Sequence, residues 1–189
     1  MRLGILGGTF DPPHLGHLLA AVDAVERLTL DRLVLVPAAV QPLKSESITA
    51  AADDRLAMVR LLVEGDDRFD VDAMEIERAG LSFSVETLRV FAERFPHAER
   101  YFLVGADVLH TLDRWREPER VLALATLTVM TRNDRTAQPH LPDGAVMIAT
   151  RRVDVSSTEV RARAAAGRSL RGFVTEPVAA YIAAHGLYR

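Results

Sequence analysis

Apolar and polar positions along this chain follow two rhythms in turn. Short runs rich in aliphatic and β-branched residues predict strands over 2–6, 32–36, 69–76, 100–104, 127–131 and 145–149. Between them the apolar positions recur every three or four residues. Leu15, Leu18, Leu19, Val22, Val25 and Leu28 predict a helix over 15–28. Thr49 is the expected cap of a helix over 50–64, and Ser84 of one over 84–95 that Pro96 stops. Two helices, over 157–166 and 176–185, follow the last strand.

The resulting order is β-α-β-α-β-α-β-α-β-β-α-α. Strands joined by helices pair in parallel through crossovers, whereas antiparallel neighbours need only a hairpin. The expected fold class is therefore α/β: a doubly wound, mostly parallel sheet flanked by helices. One domain over 1–189 is expected, with a helical portion from about 157. The polar stretch 133–144, with Pro139 and Pro142, reads as a link within it.

Composition then removes whole classes of function. A chain of 189 residues, 49% hydrophobic and 26% charged, is neither disordered nor fibrous. A net charge of -3 opposes a surface built to wrap nucleic acid. No run approaches the roughly 20 apolar residues of a membrane span. The absence of cysteine excludes disulfides, thiolate zinc sites, iron–sulfur clusters and a cysteine nucleophile. A cytoplasmic protein with neither nucleic acid nor membrane as partner is expected, and a homo-oligomer stays open.

Doubly wound sheets bind ligands at the carboxyl ends of their strands, so chemistry is sought there. The first strand runs into GGTFDPPHLGH, residues 7–17. Gly7 and Gly8 suit a sharp turn and the close approach of an anion to backbone N–H groups. Asp11 is a candidate helix cap, and Pro12 or Pro13 suits a first helical turn. Gly16 costs helix propensity, which close approach of a ligand would offset. His14 and His17, three apart, share one face near a helix start, where the dipole and unpaired N–H groups favour anions. Two histidines at this spacing also suit a metal, but zinc needs a third ligand and no HExxH glutamate stands between them. The run is neither a P-loop nor GxGxxG.

GGTFDPPHLGH resembles the signature of HxGH nucleotidyltransferases, and within that class the bacterial nicotinate-nucleotide adenylyltransferases. Four further segments carry the resemblance along nearly the whole chain. VPAAVQPLK (36–44) resembles a PPHK-like stretch, with Lys44 at its basic position and Leu43 where many relatives have histidine. GLSFSVETL (80–88) is similar to SYT[VK]DTL. FLVGAD (102–107) is followed by Trp115, the single tryptophan. VSSTEVR (155–161) resembles ISSTxIR.

The resemblance implies a Rossmann-like nucleotidyltransferase fold and transfer of the adenylyl group of ATP to nicotinate mononucleotide. The products would be nicotinate adenine dinucleotide and pyrophosphate. It places His14, His17, Lys44 and Arg161 in catalysis. Gly7, Gly8, Thr9, Phe10, Gly105, Asp107, Ser156, Ser157 and Thr158 would line the ATP site with His14, His17 and Arg161. Thr9, Phe10, Lys44, Ser84, Thr87 and Trp115 would meet the mononucleotide, Trp115 by stacking on the pyridine ring. Arg132 is a further candidate contact. No metal-ligating residue is assigned; Mg2+ would enter bound mainly through the ATP phosphates. Other acceptors (nicotinamide mononucleotide, phosphopantetheine), a silent nucleotide-binding module and, more remotely, a metal-dependent hydrolase are the competing readings.

Overall fold

The computed structural model describes residues 1–42, 48–131 and 141–189. Six strands form one parallel sheet in the order β3-β2-β1-β4-β5-β6. These are β1 (Arg2–Gly8), β2 (Arg32–Pro37), β3 (Phe69–Val71), β4 (Glu99–Gly105), β5 (Thr126–Thr131) and β6 (Val146–Ala149). The helices are α1 (Leu15–Leu28), α2 (Ala52–Val63), α3 (Met74–Arg78), α4 (Ser84–Arg94), α5 (Pro118–Leu124), α6 (Ser157–Ala165) and α7 (Glu176–Ala184). A 3-10 helix covers Ala106–Arg114. Strands progress outward from β1 to β3, and the chain then returns to place β4 on the other side of β1. The order of connection reverses there, so the carboxyl ends of β1 and β4 border the switch point where such sheets bind ligands.

Alternation within the strands builds two cores. Leu6, Leu33, Leu35, Leu103 and Ile148 face one side, packed with buried residues of α1, α2, α6 and α7. Leu3, Ile5, Val34, Val36, Phe102, Val104, Leu127 and Val129 face the other, against Val85, Leu88 and Phe91 of α4 and Val121 of α5. Both faces of the central strands are therefore covered, which explains their unbroken apolar runs.

Local chemistry moves several expected boundaries. The run over 69–76 is a strand only to Val71. The Asp72 carboxylate accepts from Met74 N at 2.9 Å, which turns the chain into the short α3. Thr49 does not cap α2; the cap position is Ala51, without a side-chain bond. Ser84 is the first helical residue of α4, behind Phe83. Gly7 and Gly8 do not form the turn after β1. They continue its ladder, opposite Val36 and Pro37. Among the described residues, no helix is long and apolar enough to cross a membrane.

Candidate active site

The start of α1 departs most from local expectation. His14, not Asp11, is its cap, and both prolines precede the helix. The cap is reciprocal: Gly16 N donates to His14 Nδ1 at 3.1 Å, and His14 N donates to His17 Nδ1 at 3.2 Å. This is a capping box made by two imidazoles instead of a hydroxyl and a carboxylate. A ring nitrogen that accepts carries no proton, so each ring holds its proton on Nε2. The rings lie 3.8 Å apart, centroid to centroid, and Phe10 meets His17 edge-on at 5.0 Å.

Phe10 is 2% exposed and holds φ at 52°, so it serves the motif as a buried prop under His17. Its ring fills the space where a Cβ on Gly8 would fall, at 2.8 Å. Gly16 likewise makes room for protein: a Cβ there would press on the His14 ring at 3.0 Å and approach the Val155 carbonyl at 3.7 Å. Gly7 has open space around its missing Cβ and stays exposed at the strand end.

The start of α6 docks on the same turn. Ser156 caps that helix by accepting from Glu159 N. Ser157 Oγ donates to the Pro12 carbonyl at 2.8 Å, and Arg161 donates to the Asp11 carbonyl at 2.7 Å. The second Arg161 nitrogen reaches Thr158 Oγ1 at 3.3 Å. Residues about 150 positions apart thus share one end of the sheet. The starts of two helices converge there, beside imidazole and guanidinium groups; the first-turn N–H groups of α1 are taken up by its own cap and by the Phe173 carbonyl.

A second set of segments meets beyond β2 and β4. Thr9 Oγ1 donates to Gln41 Oε1 at 3.1 Å. Ser82 N donates to the Val40 carbonyl, and Ala39 N donates to Ser82 Oγ, tying the chain after β2 to the approach of α4. Ser84 opens α4 half-buried. Thr87 is 2% exposed, and its hydroxyl is given to buried Glu75, so it braces this wall from behind. Burial pushes the Glu75 carboxyl up from the ordinary carboxylate value, against the lowering effect of hydrogen bonds from Thr87 and Ser82. Gly105 ends β4 with the Asp107 carboxylate folded over it; a Cβ there would fall 2.5 Å from Asp107 Oδ1. Trp115 follows the 3-10 helix half-buried, edge-on to Phe102 at 6.0 Å. Its neighbour Arg116 pairs with Glu86 and covers the Phe83 ring, which joins the Trp115 segment to the start of α4. Leu43, Lys44 and Arg132 lie outside the described residues.

Sequence reasoning passed over Arg55. This side chain is 1% exposed and donates to the carbonyls of Thr9, Ala38 and Ala39, pinning the segment after β1 to the one after β2. Desolvation lowers its pKa from the ordinary arginine value, with Asp11 opposing. The signal was present: Arg55 shares a helical stripe with Met58, Val59 and Leu62, all buried. A charge on an apolar stripe implies buried acceptors.

Against known proteins, the cytidylyltransferase-like family model matches residues 5–163. The chain belongs to the cytidylyltransferase-like family. A relative in Gemmatimonas aurantiaca, named "Probable nicotinate-nucleotide adenylyltransferase", is 51% identical over 197 residues, covering 100% of this chain and 93% of that one. A protein of the same name in Thermus thermophilus is 43% identical, with both chains covered fully. This member of the family also matches, in fold, the Plasmodium falciparum nicotinic acid mononucleotide adenylyltransferase complexed with NaAD. That match has a TM-score of 0.76 at 17% identity and covers 99% of this chain and 97% of that one. The same enzyme complexed with APC gives 0.77, also at 17% identity, with 99% and 96% covered.

Proposed function

We propose that this protein is a nicotinate-nucleotide adenylyltransferase. It joins the adenylyl group of ATP to nicotinate mononucleotide and releases pyrophosphate. One observation carries the chemistry: Ser157 and Arg161 of α6 donate to the carbonyls of the Asp11–Pro12 turn, and that turn runs directly into the His14–His17 capping box at the start of α1. The names of the relatives at 51% and 43% identity support the acceptor.

A phosphate oxygen of the mononucleotide attacks the α-phosphorus of ATP in line. The new P–O bond forms as the bond to the bridging oxygen breaks, and the electron pair leaves with pyrophosphate. The nucleophile is already ionised, so no strong base is needed. The barrier lies in aligning two anions and in the charge gathering on the leaving group. Positioning lowers such barriers by roughly 7–11 kcal/mol, and a well-placed donor contributes about 3–4 kcal/mol. His14 and His17 supply Nε2–H donors whose tautomers the capping box has already set. The start of α6 supplies N–H groups, Thr158 a hydroxyl and Arg161 a charge to the triphosphate. Gly7 leaves the backbone bare where the two substrates meet, beside Thr9. Gly105 and Asp107 meet the nucleotide at the end of β4. Lys44 is assigned from the sequence to the mononucleotide phosphate.

Ser84, at the N-terminus of α4, offers donors to the nicotinate carboxylate, and the Trp115 indole offers a face to the ring. The donor set around the triphosphate is imidazole, N–H and guanidinium, which suits phosphate oxygens better than a metal. Mg2+, held by those oxygens and its own waters, would supply further charge neutralisation. The test is pyrophosphate release from ATP and Mg2+ with nicotinate mononucleotide, nicotinamide mononucleotide and phosphopantetheine in parallel. Turnover is expected to be highest with the nicotinate acceptor. A faster rate with either other acceptor reassigns the substrate, and ATP binding without release from any acceptor removes the activity.

A further inference from the structure

Tyr188 follows α7, yet its hydroxyl donates to Asp11 Oδ1 at 2.8 Å across 177 positions of sequence. The residue is 8% exposed and packs in the core shared by α1, α2, α6 and α7. Its backbone holds φ at 63°, a left-handed conformation that a bulky residue keeps only where its surroundings impose it. Asp11 is buried as well. Its carboxylate also accepts from Thr49 N at 2.7 Å and Ala50 N at 3.1 Å.

Asp11 is thus held on two sides. Its side chain takes the phenol and two backbone donors. Its own carbonyl takes Arg161, and the next carbonyl, of Pro12, takes Ser157. The guanidiniums of Arg55 and Arg161 both act on the phenol through their charge. Burial and the bond to Asp11 push the phenol far up its titration range, so it remains a donor.

We infer that Tyr188 is a positioning residue for phosphate binding: through Asp11 its hydroxyl fixes the turn whose carbonyls seat Ser157 and Arg161. The inference rests on the reading above, in which Arg161 and the two histidines grip the nucleotide phosphates. Tyr188 itself touches no substrate. Without the hydroxyl, Asp11 Oδ1 keeps only the longer of its two backbone donors, and the turn loses its one side-chain tether to the α7 side. Small displacements of this kind weaken the transition state more than the ground state.

The experiment is a double-mutant cycle of Tyr188→Phe, Arg161→Lys and both together, in the full chain. Pyrophosphate release is read per binding-competent site, with α,β-methylene-ATP affinity and site count by calorimetry and the thermal midpoint alongside. Tyr188→Phe is expected to lower kcat about tenfold and to weaken the analogue about threefold, while staying folded. Arg161→Lys is expected to cost about a hundredfold. The double variant should be no worse than Arg161→Lys alone, because both changes act through one contact. Wild-type kcat in Tyr188→Phe overturns the inference. So does a double loss equal to the product of the singles, or a Tyr188→Phe protein that does not fold, since the residue would then serve the fold alone. If wild-type protein binds the analogue but is inactive with nicotinate mononucleotide, the proposed reaction fails separately. The cycle is then read in analogue affinity.

Discussion

The two sides of the proposed site are built to different standards. On the side proposed for the nucleotide, α1 and α6 each begin with a side-chain cap, and α6 is tied by hydrogen bonds of 2.7–2.8 Å to the Asp11–Pro12 turn that leads into α1. On the side proposed for the acceptor, α4 begins without a side-chain cap, and the 3-10 helix before Trp115 contains no buried residue. Its braces include the Arg116–Glu86 and Arg89–Glu117 pairs at the surface, each worth about 0–1 kcal/mol. Group transfer explains the contrast. Charge moves along the triphosphate, where misplacement by a fraction of an ångström costs rate, whereas recognising an acceptor ring tolerates adjustable segments. Arg55 ties the segment after β1 to the one after β2 by holding carbonyls of both.

The largest expected effect lies on the nucleotide side. His17→Ala should lower kcat by about two to three powers of ten, measured as pyrophosphate release at saturating substrates. The capping box also loses one arm, a helix-cap loss of about 1 kcal/mol, so the protein stays folded. A change in the mononucleotide KM alone would erase the distinction between the halves.

A smaller effect of the opposite kind is expected at Trp115. Trp115→Leu should raise the KM for the mononucleotide about tenfold, with the KM for ATP unchanged, in an initial-rate matrix. An equal rise in both would place the indole outside the acceptor half.

The smallest effect sharpens the view of Glu75 as part of the acceptor wall. Its folded-state pKa is raised, chiefly by burial, so the native state binds more protons than the unfolded chain above the ordinary carboxylate range. Its contribution to stability is therefore present below the unfolded pKa and is lost as pH rises through the folded one. Glu75→Gln removes that dependence. Between about pH 4 and pH 8, the midpoint of the variant should fall less, or rise more, than that of the parent chain. Parallel midpoint curves would show that Glu75 ionises there as freely as an exposed carboxylate.

Periodicity alone was enough for the sheet. Alternation and helical spacing are local, and burial on both faces of β1, β2 and β4 leaves apolar runs that nothing else explains. Its reach stopped where a single polar contact outweighed propensity. Asp72 ended β3 five residues before the expected boundary, and His14 took the cap expected of Asp11. For the proposed site, the chain announced its chemistry in GGTFDPPHLGH and VSSTEVR, because strand ends and helix starts carry their own residue signatures. The charge on the stripe of α2 was legible too, but its three carbonyl acceptors were not.

By itself, then, the sequence determined the α/β order, the two motifs at helix starts and the family resemblance, all encoded within short windows. Folding alone decided that Asp11 receives Tyr188 from 177 positions away, and that Ser157 and Arg161 reach the Pro12 and Asp11 carbonyls. Each of these partnerships joins groups that share no local pattern, and only chain packing brings them within 3 Å of one another.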